Sequence, residues 1–229
     1  MKLTAILLAL LVATQAQQTD PKPLEVSVAA AANGSAEAQR SMEDQLLARL
    51  SKATSREEKA FVCRLLRRVG SARSVPALAE MLGSEEDSHI ARFALASIPG
   101  AEAAKAMRDA LSQVPEPLQL GLMASLAARG DEESFPLILE RLPSKEAIQA
   151  LGVLGTKQAA RALGTLRGSN DGIGQIDVID DALLKCAESL LAKGNRADAR
   201  RLYVGELSTE KVLAGIQGLA AINDLHAKA

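Results

Sequence analysis

Few positions in this 229-residue chain carry side chains from which chemistry could start. His89 and His226 are its two histidines, too few converging ligands for a metal site or a Ser/His/Asp triad. His89 stands beside Glu85, Glu86 and Asp87, where it reads as a polar residue near a helix N-terminus. Gly152-Val153-Leu154-Gly155-Thr156-Lys157 has the residue types of a phosphate loop, but the spacing is wrong and no strand precedes it, so it reads as a turn between helices. Gly172-Ile173-Gly174 is half of a dinucleotide fingerprint without a βαβ unit around it. The loop that begins at Gly168 and runs through Asp171, Asp177, Asp180 and Asp181 offers oxygen ligands, yet not at calcium-loop spacing, and reads as an insertion. Arg64, Arg67, Arg68 and Arg73 form a basic cluster whose default reading is a solvated helix face. The expectation is therefore a non-catalytic chain with no cofactor and no metal.

The elements that position these residues follow from composition and period. Hydrophobic residues make up 48% of the chain but aromatics only 2%, so the apolar mass is Ala, Leu, Val and Ile, suited to many short, closely packed helices. A net charge of -1 argues against nucleic acid as partner, since phosphate binding needs a basic face. Residues 1–16 have the layout of a secretory signal peptide: Lys2, an apolar run from Leu3 to Ala13 interrupted at Thr4, then Thr14-Gln15-Ala16 with small residues where signal peptidase reads. The run is too short for a membrane span, so export to the periplasm or beyond, with no stable span after cleavage, is the expectation. Residues 17–40 are assigned as a flexible linker on Pro21, Pro23, Asn33 and Gly34, with helical pattern emerging near Ala36 and acids of a first turn at Glu43 and Asp44.

Residues 41–229 repeat. LLRRVGSARSVPALAEML, ALASIPGAEAAKAMRDAL, ASLAARGDEESFPLILERL and QALGVLGTKQAARALGTL each give a helix end, a tight turn near Gly and a second amphipathic helix; ESLLAKGNRADARRLYV is a weaker fifth copy. Aligned on Leu78, Met107, Ile138, Leu163 and Leu202, the steps are 29, 31, 25 and 39 residues. Val75-Pro76 and Phe135-Pro136 share one register, each Pro in a first helical turn, where a missing N–H costs little. The spacing predicts an all-α, right-handed α-solenoid of about five helix pairs plus a terminal helix, because one short pair cannot bury its apolar face alone.

The stretch CRLLRRVGSARSVPALAEML (63–82) with SHIARFAL (88–95) resembles the short bacterial HEAT repeats called lyase-type, and ALLKCAESLLAKGNRADARRLYVGEL (182–207) resembles a tetratricopeptide unit. The resemblance implies a scaffold, with the second helices lining a concave binding face. Two columns lie on the side of those helices opposite the core, and they place Glu102, Asp109, Glu133 and Glu140 in an acidic strip, with Arg73 and Glu80 beside it. The expected partner is another protein, captured on this face. The alternative is an enzyme or chaperone of the bilin-lyase kind holding a small molecule in the groove, for which Tyr203 and three Phe are thin material. At the C-terminus, Leu213, Ile216 and Leu219 lie in a last amphipathic helix with no second helix after it, which predicts an interface with a partner or a second copy of the chain. Cys63 and Cys186, four repeats apart, are not expected to pair.

Overall fold

The protein is described by a computed structural model covering residues 21–205 together with Gly215, 217–220 and Ile222. Among these residues every regular element is helical. The α-helices are α1 (Pro21–Ala32), α2 (Ala36–Leu50), α3 (Arg56–Val69), α4 (Val75–Glu80), α5 (Ser88–Leu95), α6 (Ala101–Leu111), α7 (Glu116–Ala128), α8 (Phe135–Leu139), α9 (Lys145–Leu154), α10 (Lys157–Arg167), α11 (Ile176–Ala192) and α12 (Arg196–Gly205). Short 3-10 turns at Ala72–Ser74 and Glu132–Ser134 lead into α4 and α8, each of which has its proline at the start.

Of the segment expected as a linker, residues 21–32 and 36–40 are helical. In α1 the prolines sit in the first turn, where their missing N–H breaks no helical bond. Leu24, Val28 and Ala31 then fall on one face, and Val28 is fully buried. The helix packs on α2 and α3. Nor do Glu43 and Asp44 stand in a first turn: the N-cap of α2 is Ser35, whose hydroxyl accepts from the Ala38 N–H at 3.2 Å. Residues 1–20, which include the expected signal segment, lie outside the described residues.

Packing follows a simple rule. Each odd helix from α1 to α11 packs on the next odd helix, and α4 packs on α6 in the other row. Helices consecutive in the chain also pack on one another, as α9 does on α10 and α11 on α12. The five anchors Leu78, Met107, Ile138, Leu163 and Leu202 all lie in the buried core, one in each of α4, α6, α8, α10 and α12. Helices α9 and α11 approach closely at Gly152, where an added Cβ would stand 2.8 Å from Ala182 Cα and Cβ.

Polar bonds tie the helix pairs from α3 to α8 to one another. Arg67 Nε donates to Ser97 Oγ at 3.0 Å, 30 residues on. Arg92 donates to the Gly121 carbonyl at 2.7 Å, 29 residues on. Arg129 donates to the carbonyls of Leu95, Ala96 and Gly100 at 2.9, 3.1 and 2.6 Å, which satisfies carbonyls at the end of α5 and ties that end to Gly100 before α6. Arg141 Nη2 reaches the Leu111 carbonyl at 3.3 Å, 30 residues back.

Candidate functional site

The residues singled out for partner binding, Arg73, Glu80, Glu102, Asp109, Glu133 and Glu140, are all exposed. They sit on even helices or the turns and caps beside them, on the side away from the buried anchors. Their electrostatics are less acidic than the sequence suggests, because cations from the same helices lie between them. Lys105 Nζ pairs with Asp109 at 2.6 Å. Arg108, only 15% exposed, holds Glu133 with one Nη at 2.7 Å and Asp131 with the other at 2.5 Å. Arg141 stands 3.9 Å from Glu140. Among the described residues Glu80 and Glu102 have no ion pair, and the Glu102 carboxylate folds back over Gly100 at the start of its helix. Arg73 reaches toward α2, donating to Asp44 at 2.5 Å and standing 4.0 Å from the buried Glu43.

Glu43 is a residue the sequence reading misplaced in a first turn. Only 1% exposed in mid-α2, it accepts from the Ser71 N–H at 2.8 Å, the Ser71 hydroxyl at 2.9 Å and the Ser74 hydroxyl at 2.6 Å. It thereby ties α2 to the turn that starts α4.

Several of the residues considered for chemistry take structural roles. Cys63 and Cys186 are unpaired and fully buried, in α3 and α11. Burial pushes both thiols up to about 12, so they stay protonated and are poor nucleophiles. His89 is exposed as the second residue of α5, while His226 lies outside the described residues. Gly155 closes α9 in the left-handed conformation, and Thr156 caps α10 by accepting from the Ala159 N–H at 3.1 Å. Asp180, fully buried in α11, is bound to Arg167 at 2.6 Å. Among the described residues no group of three or more His, Cys, Asp or Glu side chains could hold a metal. Of the basic cluster, Arg67 lies over the Phe93 ring at 3.8 Å and Arg64 pairs with Glu25 at 3.4 Å.

At the C-terminal end Leu213 and Ile216 lie outside the described residues. Leu219 is half-buried against the core, and Gly218 lies so close to the Tyr203 ring that an added Cβ would meet it at 2.3 Å.

The sequence reading missed a cleft. A cavity of ≈ 480 Å³ opens between α10, α11 and α12, with Lys157, Arg161 and Arg201 at its rim and Leu190 and Leu202 in its wall. Lys157 and Arg161 are four residues apart on one helix, a spacing that could have flagged them as neighbours.

Comparison with family models, curated proteins and solved structures finds no match. No described helix is long and apolar enough to cross a membrane.

Proposed function

We propose that this chain is an exported, non-catalytic α-solenoid of HEAT-like repeats that binds another protein through its even-helix face. The observation that supports it best is the packing rule: odd helices stack on one another, while the even helices leave a charged face to solvent. Polar bonds that recur at separations of about one repeat favour the same reading. Export rests on the layout of residues 1–16. A second copy of the chain, docked through the helix that carries Leu219, is a further route to assembly.

The test is capture by the immobilised mature chain from an extract of its own cell envelope, read by mass spectrometry. Charge reversal should be placed where no internal ion pair is lost, at Glu80→Lys and Glu102→Lys, with Asp109→Asn and Glu140→Gln added as neutral changes. Glu133 is left intact because reversing it would set a Lys against Arg108. Loss of the main captured protein with unchanged helicity supports the proposal. Unchanged capture removes the even-helix face from it.

A further inference from the structure

The cleft between α10 and α12 is built differently from the rest of that face. Its floor and wall are apolar: Ala160, Leu190 and Leu202 are all at least nine-tenths buried. Its rim carries three cations against one carboxylate. Asp198 uses both oxygens on two of them, at 2.6 Å from Lys157 Nζ and 3.3 Å from Arg201 Nη2. Arg161 remains: its guanidinium makes no hydrogen bond or ion pair among the described residues. A second cavity of ≈ 420 Å³ shares Lys157, Arg161 and Leu190 and adds Lys193 and Glu132, which stand 4.0 Å apart, so Arg161 is the cation without an ion pair that both cavities share.

Cations over a concave apolar wall suit a ligand with an anionic head and an apolar body. Lys157 and Arg201 keep donors beyond those used on Asp198, and Arg161 keeps its whole planar fork, the geometry that matches an oxyanion bidentately. We propose that this cleft binds a small organic oxyanion. Arg161, aided by Lys157 and Arg201, holds the phosphate or carboxylate head, while the body of the ligand lies on Leu190 and Leu202. The site is independent of the acidic residues on α6 and α8, so it stands whether or not they bind a protein.

Titration calorimetry on the full mature chain tests this with four probes: phenyl phosphate, inorganic phosphate, benzoate and phenol. Phenyl phosphate, benzoate or both should bind, and each more tightly than phenol; inorganic phosphate should be weaker than phenyl phosphate. Which of the two anions binds tighter decides between phosphate and carboxylate as the natural head group. Arg161→Glu should weaken the better probe by about tenfold or more, while Arg68→Glu on α3, an equal change in net charge, should leave it unchanged. Arg161 is exposed, so circular dichroism should report an unaltered fold. The proposal is overturned if neither anion binds at millimolar concentration, if phenol binds as tightly as they do, or if Arg161→Glu has no more effect than Arg68→Glu.

Discussion

The Ser74 hydroxyl donates to the Glu43 carboxylate at 2.6 Å, across 31 residues of chain and out of contact with solvent. With the two Ser71 donors it makes this acid the joint between α2 and the turn before α4. Glu43→Ala leaves these donors without their acceptor and should destabilise the chain by about 3 kcal/mol. Glu43→Gln keeps one acceptor oxygen and should cost less. Urea unfolding measures both, and a change within about 0.5 kcal/mol for Glu43→Ala would contradict the assignment.

At Gly152 the backbones of α9 and α11 come close together. An added methyl would press on the Ala182 backbone, which cannot swing aside as a flexible side chain would. Gly152→Ala should therefore destabilise by about 1–3 kcal/mol, despite alanine's better helix propensity. Gly83→Ala, in the turn after α4 with nothing among the described residues within 4 Å of the added methyl, should be close to neutral. Equal melting temperatures for the two variants would show that α9 and α11 can move apart freely.

The buried thiols predict an alkaline limb in the stability curve. Their folded values lie at about 12 against an ordinary 9.0, so between those limits the unfolded chain loses protons that the folded chain keeps. Stability is fully present below pH 9.0 and falls as pH rises toward 12. The double variant Cys63→Ala, Cys186→Ala should be less stable at neutral pH because of the space left, yet lose less stability between pH 8 and 11. An unchanged alkaline slope would assign the limb to other groups. At neutral pH both thiols should react with alkylating agents only as fast as the chain opens.

Arg129 gathers three carbonyls from the end of α5 and the start of α6. Arg129→Met should cost about 1.5–3 kcal/mol, the range for bonds to a charged donor. Arg129→Lys should recover only part of this, since an ammonium lacks the planar fork that spans Ala96 and Gly100. Full recovery by lysine would mean that charge alone matters there.

The helix pairs and their anchors were legible because apolar period and turn chemistry agree: Leu78 and Ile138 each follow a proline-initiated turn and are fully buried. Helix α1 was legible in principle through Leu24, Val28 and Ala31, but two prolines and an alanine run concealed a period that only a first-turn reading of those prolines reveals. Exposure of Glu102, Asp109, Glu133 and Glu140 followed from register alone. The pairing of Glu133 with Arg108 did not, because it depends on how the turn before α8 docks on α6. The burial of Glu43 and the cleft at Arg161 were out of reach for the same reason. Both depend on the spacing between elements, and periodicity within one element carries no record of it.

The packing rule also bears on how the chain finds its structure. Helices make their principal contacts with the next helix or the next but one. Contact order is consequently low for a chain of this length, and little loop-closure entropy opposes the first native contacts. Folding can start at any neighbouring pair and spread in both directions. Under tension or mild denaturant the same locality has the opposite effect: among the described residues no strand or long crossover binds α1 to α12, so opening at either of these helices need not disturb the middle. The chain should then yield one helix pair at a time, as a zipper does.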